Sequence, residues 1–249
     1  MSGHSKWATI RRKKEKVDAA RGQAFTRIIR EINISARLGG SNPVSNARLR
    51  SAIDAAKSVN MPADNIERAI KKGAGELEGQ VIEEVRYEGY GPGGVAILIE
   101  CATDNRNRTT GEVRHTLTKR NGTMAEAGAV AWMFDRQGYL TLDVSQGSED
   151  EILETALDAG ATDVRGDGTI WEVFTSPEDL YRVKAGIEQR GKSVASAELS
   201  YIAKTTVKVD AENAKPLLNL IDALEELDDT QHVYSNFEMD DAVMESLRL

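Results

Sequence analysis

Apolar residues in the first third of the chain recur at helical spacing. Between residues 17 and 38, Phe25, Ile28, Ile29, Ile32 and Ala36 fall at i, i+3, i+4, i+7 and i+11, which is one face of an α-helix, and Gly39-Gly40 ends it. A second helix is predicted over residues 45–59, with Leu49, Ala52, Ile53 and Ala56 inward. A third begins near Pro62, a residue suited to a first helical turn, turns Ile66, Ala69 and Ile70 inward and stops at Gly73. On the first helix Arg27, Arg30 and Arg37 lie roughly opposite the apolar face at about 100° per residue, which predicts that they point away from the helical bundle.

After the glycine-rich stretch 73–79 the period changes to that of strands. Residues 81–87 read as a strand, Gly91-Pro92-Gly93-Gly94 as a tight turn and 95–101 as a buried strand. A helix is predicted over 109–120, closed by Asn121-Gly122, and residues 129–134 read as another buried strand. From Gly138 onward the order is strand 139–144, helix 148–160, strand 163–165, strand 169–174, helix 177–190 and strand 198–203, the βαββαβ of a ferredoxin-like unit. Strand 206–209, helix 211–227 and strand 232–237 follow. This last βαβ has no neighbour in sequence unless it completes the sheet begun upstream. The predicted fold is therefore α+β: an N-terminal three-helix domain, then a middle split βαβ-type domain interrupted by an inserted ferredoxin-like βαββαβ domain. The boundaries expected are 1–79 for the basic helical domain with its arm, 80–137 plus 205–249 for the middle domain and 138–204 for the insertion.

Charge changes the picture more than composition does. The 249 residues carry a formal net charge of −8, but residues 1–72 hold 16 Lys/Arg against 6 Asp/Glu, and the remainder holds 16 against 34. A module of +10 joined to a body of −18 points to a polyanionic partner for the first and a restraint on indiscriminate adhesion from the second. Nucleic acid is the first candidate. Lys6, Arg11, Arg12, Lys13, Lys14 and Lys16 form a basic stretch without apolar periodicity, an arm suited to neutralising phosphates, and Trp7 among them is placed to stack on an unpaired base. Arg27, Arg30 and Arg37 extend that surface if their face is open. Asp104-Asn105-Arg106-Asn107-Arg108-Thr109 leads into a helix N-terminus, where free backbone amides favour an anion. Arg106, Arg108 and Arg114 would make a second phosphate spot there, unless the arginines pair with local carboxylates and Asn107 or Asp104 caps the helix.

Other chemistries are poorly served. The turn 91–94 lacks the following helix and the Lys-Ser/Thr of a phosphate loop, although an exposed Tyr87 or Tyr90 beside it could touch RNA. His4, His115 and His232 lie in different segments without metal-ligand spacing, and the single Cys101 alternates within an apolar strand. Adjacent carboxylates such as Glu83-Glu84 and Glu225-Glu226 diverge on a strand or helix and do not form an acid/base dyad. No enzyme, cofactor, metal site or membrane span is expected. One cysteine fits a reducing cytoplasm, and the acidic C-terminal region from Asp228 to Glu245 is a solubilising surface or a contact for a basic protein.

Several blocks resemble one family. Gly3-His4-Ser5-Lys6-Trp7-Ala8, Arg21-Gly22 with Phe25-Thr26 and Ile29-Arg30-Glu31-Ile32, Asn60-Met61-Pro62, Tyr87-Glu88-Gly89-Tyr90-Gly91-Pro92-Gly93-Gly94 and Ala131-Trp132-Met133-Phe134 are similar, in order, to the YebC/PmpR family. The resemblance implies a cytoplasmic protein of three domains, without cofactor or catalysis. Its members are commonly labelled DNA-binding transcriptional regulators, and some are implicated in translation at the ribosome. Because an unstructured basic arm with a tryptophan suits irregular RNA better than a groove-reading helix does, the expected partner is rRNA in a ribosomal setting, with promoter DNA, favoured by the usual family label, as the rival. The chain departs from the family pattern at Arg11-Arg12-Lys13-Lys14, Ser41-Asn42-Pro43 and Met124-Ala125-Glu126-Ala127-Gly128, which bears on the contacts of those loops.

Overall fold

The structure, a computed structural model, describes residues 17–79, 81–166 and 168–247. Its described residues fall into two compact units, one of residues 134–204 and the other of the chain before and after it.

In the larger unit three helices come first: α1 (Val17–Gly39), α2 (Ala47–Ser58) and α3 (Ala63–Gly73). Their core joins Ile32, Ala36, Leu49, Ala52, Ala56, Met61, Ile66 and Ala69, with Phe25, Ile28, Ile29, Ile53 and Ile70 packed beside them, so the expected apolar faces are the ones buried. Asn46 holds the first corner. Its side chain accepts from Leu49 N at 3.0 Å, capping α2, and donates to the carbonyls of Ser35 at 2.7 Å and Gly40 at 2.8 Å. Gly73 is more than a helix stop. A methyl group there would collide with the backbone carbonyl of Asn33, so α3 closes on α1 through this glycine.

The same unit continues with β1 (Glu83–Gly91) and β2 (Val95–Thr103), an antiparallel hairpin whose turn sets Gly93 and Gly94 at φ 75° and 74°, a conformation that suits glycine. Then come α4 (Arg106–Lys119) and β3 (Thr123–Ala125), and, beyond the inserted unit, β8 (Val207–Lys208), α7 (Ala211–Glu225), β9 (Thr230–Ser235), β10 (Phe237–Glu238) and α8 (Asp241–Ser246). The sheet order is β3-β1-β2-β9, with β8 and β10 forming a separate parallel pair. Alternate residues Val95, Ile97, Ile99 and Cys101 of β2 face Val113 and Leu117 of α4 and Leu217, Leu220, Ile221 and Leu224 of α7 in one core. The returning C-terminal segment joins the sheet through β9, whereas β8, the other strand of the expected βαβ, pairs with β10 instead.

The strand expected at 129–134 is absent. Residues Ala131–Met133 form a 3₁₀ turn, and the strand beside β1 is the short β3 upstream. The physical reason is Glu88, buried at 7% exposure, whose carboxylate accepts from the amides of Gly128 (2.7 Å), Val130 (2.6 Å) and Ala131 (2.9 Å) and removes them from any ladder. Burial opposes the ionised form, yet these three bonds hold its pKa below the usual carboxylate range.

The unit of residues 134–204 contains β4 (Phe134–Asp143), α5 (Glu149–Ala159), β5 (Asp163–Gly166), β6 (Ile170–Thr175), α6 (Leu180–Gln189) and β7 (Ser196–Ala203). Its antiparallel sheet has the order β5-β6-β4-β7, which is the ferredoxin-like arrangement. Leu140, Leu142 and Val173 from the sheet meet Ile152, Ala156, Val183 and Ile187 from the helices. A capping box of Ser148 and Glu151 starts α5, and Gly160 at φ 100° ends it.

Gly73→Ala is expected to lower the stability of the larger unit by about 1–3 kcal/mol through overpacking, read as a fall in the thermal midpoint by circular dichroism. An unchanged midpoint would show that α1 and α3 can separate at no cost.

Candidate nucleic-acid interface

The arginines proposed from the sequence divide into two groups once the chain is folded. Arg27 and Arg30 lie one turn apart on α1 and both turn toward the C-terminal end of α7. The last carbonyls of a helix lack intrahelical partners and attract cations. Arg27 donates to the Glu225 carbonyl and Arg30 to that of Asp228, while Gln23 donates to Glu226 O at 3.3 Å. Arg27 and Arg30 thus point away from the helical bundle as expected, but the expectation that their face is open to an outside partner is corrected. Their face, opposite the helical core, is covered by a second partner from the end of the chain.

Beside that helix end lies Asp229, whose side chain is 1% exposed. Arg30 Nη2 reaches its Oδ1 at 2.7 Å, and Arg108 Nη2 reaches Oδ1 and Oδ2 at 3.0 and 2.8 Å. Thr103 Oγ1 donates to Oδ2 at 2.9 Å and Thr109 Oγ1 does so at 2.5 Å. The Asp229 carbonyl also accepts from Ala102 N at 2.8 Å. Burial alone would raise this carboxyl's pKa, but the bonds from Thr109, Arg108 and Thr103 and the charge of Arg30 hold it below the usual range. One carboxylate thereby joins α1, the end of β2, the start of α4 and the start of β9. Arg48 makes a parallel tie: it donates to both oxygens of Glu31 at 2.6 and 2.9 Å and to Glu84 of β1 at 2.7 Å. Glu31 therefore pairs with Arg48 of α2 as well as lying on the arginine-bearing helix.

Arg108, although its side chain is 44% exposed, is tied to the protein's own carboxylates as well. It also donates to Asp104 at 3.1 Å, so the local-carboxylate reading describes it better than the phosphate reading. The cap of α4 is Asn105, which accepts from Arg108 N at 3.1 Å, and neither Asn107 nor Asp104 takes that place. Tyr87, expected as an exposed ring, is 6% exposed and shares a hydrogen bond of 2.9 Å with Thr110. Cys101 is buried core at 2% exposure, near the Thr230 hydroxyl at 3.8 Å, and burial pushes its thiol up to about 12.

Arg37, Arg106 and Arg114 make the second group: all three are exposed and none has an ion pair among the described residues. Arg37 lines an open groove of about 810 Å³ together with Lys72, Leu77 and Val81. Arg106 is the first residue of α4 and Arg114 lies about two turns further along it, both exposed, while Thr109, Val113 and Leu117 are its buried positions. Lys6, Trp7, Arg11, Arg12, Lys13, Lys14 and Lys16 lie outside the described residues. Sequence reasoning missed Glu88 and Asn46, and its placement of Asp229 on a solubilising surface is corrected, because the carboxylate is buried among two arginines and two threonines. An acidic pair at the end of a helix, as in Asp228-Asp229, is the one local signal that Asp229 offered.

Comparisons with known proteins agree across the chain. A model described as the TACO1/YebC protein N-terminal domain matches residues 5–76, and one described as the TACO1/YebC second and third domain matches residues 82–237. A probable transcriptional regulatory protein of Geobacter sulfurreducens is 54% identical over 247 residues, covering 99% of this chain and 100% of the relative. One from Persephonella marina is 53% identical over 249 residues, with 99% and 100% covered. The crystal structure of a conserved hypothetical protein from Aquifex aeolicus superposes with a TM-score of 0.85 at 50% identity, covering 90% of this chain and 93% of that one.

Asp229→Ala strands two arginines and is expected to cost about 3–5 kcal/mol, measured by denaturant unfolding. Because the folded carboxyl is depressed, its contribution is complete above the ordinary carboxylate pKa of about 4 and fades as the pH falls through the folded value. Wild type is thus expected to lose stability below about pH 4, and Asp229→Ala to show a flatter acid limb. Parallel acid limbs would remove Asp229 from the account.

Proposed function

From the premise that the chain belongs to the TACO1/YebC family, we propose that it is a non-enzymatic, nucleic-acid-binding regulator of gene expression that acts on RNA in a ribosomal setting. The observation that carries this reading is the partition of charge, +10 over residues 1–72 against −18 in the rest. The arm residues Lys6, Arg11, Arg12, Lys13, Lys14 and Lys16 neutralise the phosphate backbone, and Arg37 extends the same basic surface. Arg106 and Arg114 supply a second anchor on α4. Arg27, Arg30 and Arg108 hold the protein together beneath it. Three domains at 1–79, 80–137 with 205–249, and 138–204 divide these tasks, the acidic insertion restraining affinity and the acidic C-terminal region offering a contact to basic proteins. A reducing cytoplasm suits the lone buried Cys101.

The second reading, a DNA-binding transcriptional regulator, is favoured by the names its relatives carry. Against it, a groove-reading helix presents base-reading side chains near its start. α3 begins Ala63-Asp64-Asn65 and carries Arg68, Lys71 and Lys72 late, with Lys71 paired to Glu67 at 2.6 Å. A basic sequence with an embedded tryptophan suits irregular RNA better.

Ultraviolet crosslinking in cells, followed by sequencing of the recovered RNA and DNA, separates the two. Ribosomal RNA is expected, and is expected to disappear when Arg11, Arg12, Lys13 and Lys14 are changed to Glu. Discrete promoter DNA without ribosomal RNA would establish the transcriptional reading instead. In vitro, Arg106→Glu with Arg114→Glu is expected to weaken RNA binding about tenfold or more and to flatten its salt dependence, with an unchanged melting temperature. Full affinity in that variant would remove α4 from the interface.

A further inference from the structure

Trp132 stands at 64% exposure on the 3₁₀ turn between β3 and β4, although large aromatic side chains are ordinarily well covered. Its position is held firmly. The indole Nε1 donates to the Ala129 carbonyl at 3.0 Å, and the Tyr90 hydroxyl donates to the same oxygen at 3.3 Å. The backbone beneath is fastened by the three amides that Glu88 accepts, and by Met133 N to Val130 O at 2.9 Å. A buried carboxylate and two aromatic donors are thus committed to a loop that presents one uncovered ring.

The chemistry of that ring narrows the partner. With its N–H edge turned to the protein, the indole offers apolar ring surface and no hydrogen bond, so it suits stacking that ignores the ligand's polar pattern. The surroundings supply the complementary charge. Tyr90 is opposite Thr123 in the β1–β3 register, and Gly122 packs against the Tyr90 carbonyl, so the end of α4 lies beside the residue whose hydroxyl reaches the Ala129 carbonyl. Lys119 and Arg120 there are exposed and have no ion pair among the described residues. Between Lys119 and Phe134 the sequence has a single acidic residue outside the buried core, Glu126.

We infer that Trp132 is a stacking platform for an unpaired base of single-stranded nucleic acid, with Lys119 and Arg120 at the end of the neighbouring helix α4 available to the phosphates of the same strand. This rests on the nucleic-acid reading above and adds a contact for bases, which none of the cations provides.

The test uses the full chain with Trp7→Phe and Trp171→Phe, so that Trp132 is the remaining indole. Labelled single-stranded oligouridylate, oligothymidylate and duplex RNA are titrated, following anisotropy of the label and emission of the indole together. Saturable quenching by the single strands and not by duplex is expected, with oligouridylate against oligothymidylate reporting preference for RNA or DNA. In the otherwise native chain Trp132→Ala is expected to weaken single-strand binding about 5- to 100-fold, and Trp132→Tyr to restore most of it. Circular dichroism is expected to be unchanged, because the ring is exposed. Oligonucleotide bound without quenching, or bound equally by Trp132→Ala, would overturn the platform and leave the nucleic-acid reading standing; the indole would then serve a protein partner. No binding of any of the three probes would overturn both.

Discussion

A single buried carboxylate, Asp229, organises the larger unit. Charge in the interior is tolerated when it is paired and fully hydrogen-bonded, and Asp229 meets two guanidinium groups and two hydroxyls from α1, the end of β2 and the start of α4. Among the described residues the helical region has its own apolar core, and the small cluster of Ile34, Ile82 and Ala102 links it to the sheet. Polar ties add to that attachment: Asp229, the α7 carbonyls and the Arg48 contacts. The end of the chain thus fixes how its beginning is held.

The same arrangement sorts the basic residues by task. Arg27, Arg30, Arg48 and Arg108 are spent on carbonyls and carboxylates of the protein itself, whereas Arg37, Arg106 and Arg114 are exposed and have no ion pair among the described residues. Net charge alone overstates the cationic surface, because part of it is neutralised where it stands. A regulator of this family can accordingly carry an acidic body without its basic surface being quenched at random: the internal pairings are specific, and the acidic excess is spread over the rest of the chain.

Local periodicity made the helices legible, because burial on one side leaves a 3.6-residue trace that Phe25, Ile28, Ile29, Ile32 and Ala36 record directly. The order of elements in residues 134–204 was legible for the same reason, and with it the ferredoxin-like topology. What failed was long-range. A helical wheel shows that Arg27 and Arg30 oppose one apolar face; it does not show that Glu225 and Asp228, about two hundred positions later, supply a second face. Residues 129–134 read as a strand because they are apolar, whereas the amide capture that prevents it depends on Glu88, some forty residues earlier. Trp132 was visible only as part of a family block, since exposure of an aromatic ring leaves no periodic trace.

The burial of Cys101 has a practical side. A thiol at 2% exposure whose pKa is pushed up to about 12 is almost wholly protonated at neutral pH and out of reach of alkylating reagents. A cysteine introduced on the surface of either compact unit would be the only reactive one among the described residues, so spectroscopic probes can be attached at chosen positions while the native sulfur stays in place.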